Sequence, residues 1–416
     1  MKTSRRTFIR GVGAGAATAA LAAPAMAQSV IDEILSSHSR ATWDDQFDAR
    51  PTAQPGRVVS TSPVFSQQTV AYVEQTMAHY QNIVANGGWP IVPSGKALKL
   101  GVVDPDVAVL RRRLMISGDL AESAGISNAF DSYVDVALKR FQTRHGLPAD
   151  GATGRYTYAA MNISADIRLG QLQTNLERLR NMPDTSGRFV MVNIPAAEIE
   201  AVEDGRVASR HVAVVGKIDR QTPRLTSKIH EINLNPYWNA PESIVRRDII
   251  PLMRKNPNYL KENNIHILGP NGEVDPLSID WNTEEAAKLR FRQDPGRINA
   301  MASTKINFHN PHAVYLHDTP QQSLFNGLER FHSSGCVRVQ NVRDLVVWIL
   351  KETQGWDRRR IEQTIQTESD VKIPVANPVP IHMTYVSAWA TDQGVAHFRD
   401  DIYGLDGVDA LQISTL

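Results

Sequence analysis

The 416-residue chain has a single cysteine, Cys336, set in the run His332-Ser333-Ser334-Gly335-Cys336-Val337-Arg338. A thiol attacks a carbonyl carbon as its thiolate, and with a free pKa of about 8.5 it needs a nearby imidazole, cation or helix dipole to do so near neutrality. Two of the twelve histidines stand out. His317 closes the apolar run Val314-Tyr315-Leu316, which predicts a strand end from which an imidazole enters a cleft; His332 lies four positions before the cysteine and is near only in sequence. Gly335 lets backbone approach a substrate closely, and the peptide N–H groups of Ser334 and Gly335 could face a developing oxyanion. Arg338 falls on the same side as Cys336 if the segment is extended, which suits it to a substrate carboxylate; a surface ion pair is the equally weighted alternative. On composition alone an unpaired cysteine is more often an inert core residue than a nucleophile. Its neighbours reverse that ranking.

The elements that must position these residues are a strand ending at His317, a loop carrying Cys336, and a helix after it. In that helix Val342, Leu345, Val346 and Ile349 share one face and Asn341 stands as the N-cap. Upstream, the runs Phe189–Ile194 and Val207–Val215, separated by Glu203-Asp204-Gly205, predict a hairpin. A polar, proline-rich stretch from Pro236 to Pro311, with a helix over 244–256, predicts a cap inserted at about 240–311. Apolar residues at three- and four-residue steps predict helices over 69–84, 106–115, 132–145 and 165–180, with a short one starting near Gly154. The chain therefore reads as an α+β multidomain protein. Its expected parts are a helical scaffold at 28–98, a small helical domain at 99–165, a connecting helix at 166–187, a mainly β catalytic domain at 188–376, and a C-terminal tail at 377–416 packing on that domain.

Forty-five basic and 44 acidic residues balance to a formal charge of +1 without a long single-sign block, which disfavours nucleic-acid binding. Ser4-Arg5-Arg6-Thr7-Phe8-Ile9-Arg10, the small-residue stretch Gly11–Ala23 and Ala25-Met26-Ala27 read in order as the parts of a twin-arginine signal peptide over residues 1–27. The expectation is a periplasmic protein exported by that route, with no transmembrane segment after signal removal. One cysteine excludes an internal disulfide framework. His309 and His312 flank Pro311 without further ligands, so neither a metal nor a cofactor is expected.

The segment His317 to Arg338 resembles the signature of L,D-transpeptidases of the YkuD fold, where a histidine is followed, after a variable loop, by Ser-x-Gly-Cys. Ser333-Ser334-Gly335-Cys336 fills that motif here. The common form has a second histidine before the glycine and an asparagine two places after the cysteine; Ser334 and Arg338 stand there instead. Ser-Ser-Gly-Cys-Val-Arg resembles the large, cap-bearing branch of the family, the YcbB type, as do Asn235-Pro236-Tyr237-Trp238-Asn239 and Phe398 to Gly404. Residues 99–165 resemble the peptidoglycan-binding domain, through Phe141-Gln142 and Gly146-Leu147-Pro148-Ala149-Asp150-Gly151.

The resemblance implies Cys336 as nucleophile, His317 as base, and the backbone carbonyl near Asp318 as the group orienting the imidazole. It implies peptidoglycan stem peptides as donor and acceptor, exchange at the meso-diaminopimelate to D-alanine bond, 3-3 cross-links, and acylation by carbapenems. Ser333, Arg338, Tyr315, Tyr237 and Trp238 would line the substrate groove, although an individual aromatic is more often core. The departure from the common signature leaves His332 without a role. Water as acceptor would make the chain a carboxypeptidase, and a decayed catalytic domain would leave a non-catalytic wall-binding protein. A papain-like protease places its cysteine before its histidine, the reverse of the order here.

Overall fold

The computed structural model describes residues 61–413; the expected signal peptide and the first part of the N-terminal scaffold lie outside the described residues. Helices α1 (Gln67–Ala85), α2 (Pro105–Ile116), α3 (Ser132–Arg144), α4 (Arg155–Met161) and α5 (Ala165–Arg180) come first. Side chains cap three of them, Ser66 accepting from the Thr69 N–H, Asp104 from Asp106, and Asp131 from both Tyr133 and Val134, which satisfies amides a helix start leaves unpaired. In the small helical domain α2, α3 and α4 close over Leu110, Leu114, Val134, Leu138, Phe141 and Met161.

The Phe-Gln and Asp-Gly motifs of that domain meet physically. Buried Gln142 donates through Nε2 to Asp150 Oδ1 and the Ala152 carbonyl, both at 2.8 Å, and accepts from the Gly151 N–H at 3.0 Å. Gly151 has φ +75°, a left-handed conformation that favours glycine, and a Cβ there would stand 2.2 Å from Asp135 Oδ1 unless that side chain moved.

Strands β1 (Arg188–Asn193), β2 (Glu198–Glu203), β3 (Arg206–Gly216) and β4 (Leu225–Leu234) lead into the cap. There β5 (Trp238–Ala240), β6 (Ile265–Gly269), β7 (Gly272–Val274) and β8 (Arg290–Gln293) form their own sheet, ordered β5-β8-β6-β7. A helix broken into Glu242–Ile244, a π-helical turn Val245–Ile249 and Ile250–Lys255 packs on it through Val245, Ile249 and Ile250. The chain returns through β9 (Thr304–Phe308), β10 (Leu316–His317), β11 (Phe331–Ser333), β12 (Val337–Val339) and, after helices α6 (Val342–Ile349) and α7 (Arg358–Gln366), β13 (Val371–Thr384). The main sheet runs β11-β3-β12-β10-β9-β4-β13-β1-β2, and β2 pairs back onto β3. It therefore closes like a barrel, leaving few free edges. Its inner face packs Ile199, Ile232, Ile306, Leu316, Val337 and Ile381 against Val342, Leu345, Val346 and Ile349 of α6. The outer side of β1, with Phe189 and Met191, is covered by α1, α5 and a hairpin of β14 (Ala388–Ala390) and β15 (Ala396–Phe398). Among the described residues no helix is long and apolar enough to cross a membrane.

The structure departs from the sequence expectations in four places. The two runs expected as a hairpin are β1 and β3 of a three-strand meander; the strand between them, β2, carries Glu198, Glu200 and Glu203, whose charges hide its alternation. The cap ends before 311, because Thr304-Lys305-Ile306-Asn307-Phe308 is the barrel strand β9, apolar on one face only. The expected boundary at 376/377 cuts β13, where Pro378 falls in a register shift between Pro374 and Val379 that tolerates its missing N–H. Asn341 precedes α6 in the left-handed conformation, φ 51°, with no side-chain capping bond; it turns the chain rather than capping it.

Candidate active site

Strand register gathers the expected residues. β10 lies between β12, parallel to it with His317 opposite Arg338, and β9, antiparallel to it with His317 opposite Lys305. Leu316, Val337 and Ile306 point into the core, so alternation turns Tyr315, His317, Cys336, Arg338 and Lys305 to the opposite face. That face meets the cap, because Tyr315 packs against the cap's apolar cluster. Between Cys336 and α6 stands β12, so Cys336 sits in a turn joining two short strands, and the helix expected directly after its loop begins one strand later.

The turn is tightly braced. Gly335 has φ +113°, and a Cβ there would meet the Gln221 carbonyl oxygen at 3.4 Å. Ser333 is 3% exposed, and its Oγ donates to the Cys336 carbonyl at 2.5 Å while accepting from the Gly335 N–H at 3.1 Å. Two expectations change: Ser333 shapes the loop instead of lining a groove, and the Gly335 N–H already has its acceptor, so it is not an oxyanion donor in this conformation. Thr222 Oγ1 donates to the Gly335 carbonyl at 2.9 Å, and the Thr222 N–H donates to the Tyr403 hydroxyl at 3.1 Å. Arg220 donates to Ser334 Oγ at 2.9 Å and to both carboxylate oxygens of Asp248, at 2.8 and 3.1 Å. Asp248 lies in the π-helical turn of the cap. The loop is thereby tied to the C-terminal tail on one side and to the cap on the other, through residues the sequence reading did not single out.

His317 Nδ1 lies 2.5 Å from the Asp318 carbonyl oxygen. A carbonyl only accepts, so Nδ1 carries the proton and Nε2 keeps its lone pair. The Asp318 carboxylate itself holds the following loop, accepting from Ser303 Oγ at 2.6 Å and the Thr319 N–H at 2.8 Å. Burial, assisted by the Arg338 charge, holds His317 down at about pKa 3, so the imidazole is neutral across the physiological range. Arg338 is 3% exposed and donates to Gln321 Oε1 at 2.6 Å. Its place is beside the imidazole under Gln321, neither at the surface nor open to a carboxylate.

Burial pushes the Cys336 thiol above its ordinary value; hydrogen bonds from the Tyr315 N–H and hydroxyl, then the Lys305 and Arg338 charges, work against that rise. The sulfur thus bonds to Tyr315, and no hydrogen bond joins it to His317. Trp238, 4% exposed, is hydrogen-bonded to the same tyrosine hydroxyl. Tyr237 is 38% exposed beneath Arg292, 4.5 Å from ring centroid to guanidinium carbon, with no contact to the thiol. His332 is bonded through Nε2 to the Glu329 carbonyl. Among the described residues no group of three or more His, Cys, Asp and Glu could hold a metal ion.

A thiol raised by burial is reactive only as it ionises. The rate of Cys336 alkylation by iodoacetamide should therefore keep rising with pH through and beyond the ordinary thiol range of about 8.5, with no plateau near neutrality. A thiol held as thiolate by a preformed imidazolium would instead plateau below pH 7.

Residues 187–375 match the family model described as the L,D-transpeptidase catalytic domain, YkuD, and residues 103–161 match the "Putative peptidoglycan binding domain". A protein of Haemophilus influenzae named "Putative L,D-transpeptidase" is 37% identical over 238 residues, which is 57% of this chain and 48% of that protein. The chain thus spans about half the length of that curated relative. Among solved structures, an L,D-transpeptidase from Xylanimonas cellulosilytica aligns at 16% identity over 70% of this chain and 99% of that one, TM-score 0.23. One from Stackebrandtia nassauensis aligns at 15% identity over 69% and 94%, TM-score 0.26. Residues 187–375 thus form a domain of the YkuD L,D-transpeptidase catalytic type, and residues 103–161 a domain similar to the peptidoglycan-binding domain.

Proposed function

We propose that the chain is a periplasmic peptidoglycan L,D-transpeptidase of the cap-bearing YcbB type, exported by the twin-arginine route, with Cys336 as nucleophile and His317 as general base. The observation that carries this reading is the locked His317 tautomer, Nε2 free, on the strand and face beside Cys336. In a donor complex Cys336 gives its proton to His317 Nε2 as sulfur bonds to the carbonyl carbon of the third stem residue, meso-diaminopimelate. The imidazolium then protonates the departing D-alanine nitrogen as the C–N bond breaks, leaving a thioester. The side-chain amine of a second stem attacks that carbonyl, its proton passes to His317, and the C–S bond breaks to restore the thiol and give a 3-3 cross-link.

Tyr315 supports the sulfur through its hydroxyl, and the Cys336 N–H takes the oxyanion role expected of Ser334 and Gly335. Arg338 acts through His317: its charge adds to burial in keeping the imidazole deprotonated until the thiol delivers a proton. The peptidoglycan-binding domain supplies substrate proximity. Trp238 and the cap shield the thioester, and a carbapenem, as a strained acyl donor, acylates the same sulfur.

The test is mass spectrometry of the mature protein incubated with a disaccharide-tetrapeptide. D-alanine release together with a 3-3 dimer is the expected result. Release without dimer assigns carboxypeptidase action instead, and neither product refutes the proposal.

A further inference from the structure

The thiol-bearing face of the barrel continues past His317 as a row of polar side chains set by register. Lys305 lies opposite His317, Asn233 opposite Lys305, and Lys372 opposite Asn233. One step along the strands, Glu231 pairs with Asn307 and accepts from its Nδ2 at 2.9 Å. The intervening residues Ile306, Ile232 and Ile373 are buried in the core, so the row forms the floor of the groove and not part of the barrel interior.

Two members of the row lack partners. Lys305 is half-buried, with Nζ 4.3 Å from the Tyr315 ring centroid and its charge felt by Cys336 and Glu231; among the described residues no carboxylate lies within ion-pair distance of it. Asn233 is 7% exposed, and its Oδ1 is buried without a hydrogen bond. An unpaired ammonium and an unpaired amide oxygen held side by side are costly unless a ligand completes them. The ammonium asks for an anion and the amide oxygen for an N–H donor, with the Glu231 carboxylate nearby to favour a cation.

We infer that Lys305, Asn233 and Glu231 form a subsite for a zwitterionic α-amino acid group, Lys305 taking its carboxylate and Asn233 Oδ1 with Glu231 taking its ammonium. Resting on the function proposed above, this names the part of the donor recognised: the free amino-acid end of the diaminopimelate side chain, beside the bond that Cys336 attacks. A stem with lysine in the third position carries the amine without the carboxylate, so the subsite selects against it.

The experiment compares D-alanine release from diaminopimelate and lysine tetrapeptides by the full mature chain and its Lys305→Met and Lys305→Arg variants. Wild type should prefer the diaminopimelate donor in kcat/KM by about 10- to 100-fold, the range one charge-assisted hydrogen bond supplies. Lys305→Met should lose that preference: its effect on Cys336 ionisation is common to both donors and cancels in the ratio, so the diaminopimelate donor loses about 10- to 100-fold more than the lysine donor; Lys305→Arg should restore part of the preference. Equal loss on both donors, or no preference in wild type, overturns the subsite. Calorimetric binding of the diaminopimelate tripeptide to Cys336→Ala, with and without Lys305→Met, makes the same comparison without turnover. If wild type releases D-alanine from neither donor, the proposed function fails while the binding comparison still decides the subsite: weaker binding on loss of Lys305 supports it and unchanged binding overturns it.

Discussion

Replacing Cys336 by alanine is expected to abolish release of D-alanine from a tetrapeptide donor, by at least about 10³-fold, because the route through a thioester disappears with the sulfur. The fold should survive. The sulfur sits in a turn whose geometry is set by Ser333, Thr222 and Gly335, none of whose bonds passes through the thiol. Thermal unfolding of the variant close to wild type, with turnover gone, separates lost chemistry from lost structure. Residual turnover within tenfold of wild type would assign the reaction to another group.

His317→Gln is the second large effect. A positioned general base contributes about 10²- to 10⁴-fold, and glutamine keeps much of the volume beside the Asp318 carbonyl while removing the basic nitrogen. Because Tyr315, not His317, bonds to the sulfur, the variant should keep the wild-type pH profile of Cys336 alkylation while turnover falls. The two readouts separate a base that takes the proton during attack from one that holds a standing thiolate. In the second case alkylation and turnover would fall together. Parallel turnover measurements and iodoacetamide rates across pH 6–10 make the comparison.

What the sequence made legible follows the range of the interactions. Cys336, Gly335 and Ser333 are neighbours, and His317 closes the adjoining strand, so their spacing and the resemblance to the family signature marked them as the candidate site, and strand register places them on adjacent strands. The helices over 67–85, 105–116 and 132–144 were equally plain, since each has a side-chain cap and a local apolar period. The braces were hidden because they join distant positions: Arg220 reaches Ser334 across 114 residues and Asp248 across 28. Thr222 and Tyr403 meet only after the tail returns along the barrel. Lys305 looked like an ordinary polar residue in a mixed stretch until register placed it opposite His317.

The misreadings have physical causes of the same kind. Arg338 alternates with Cys336, which is what made it a carboxylate candidate, but alternation does not reveal that Gln321 lies over it. The Gly335 N–H looked free because the Ser333 hydroxyl that accepts from it turns back only in this loop. β2 escaped notice because Glu200, a charged residue by type, is buried there with its carboxylate paired to Arg210 at 2.8 Å.

The structure also assigns the cap a mechanical role. Arg220 joins the cap's π-helical turn to Ser334, two places before Cys336, through a bidentate pair with Asp248, 6% exposed at its side chain. Pairs this buried are strongly destabilising to break from one side, so cap position and loop geometry should change together.

The most direct measurement is peptide mapping by mass spectrometry of wild-type protein mixed with disaccharide-tetrapeptide and quenched in acid. An adduct of the donor less D-alanine, carried on Cys336 and released by hydroxylamine as a thioester, is the predicted result. D-alanine release with the acyl group on any other residue, or with Cys336 unmodified throughout turnover, would contradict it.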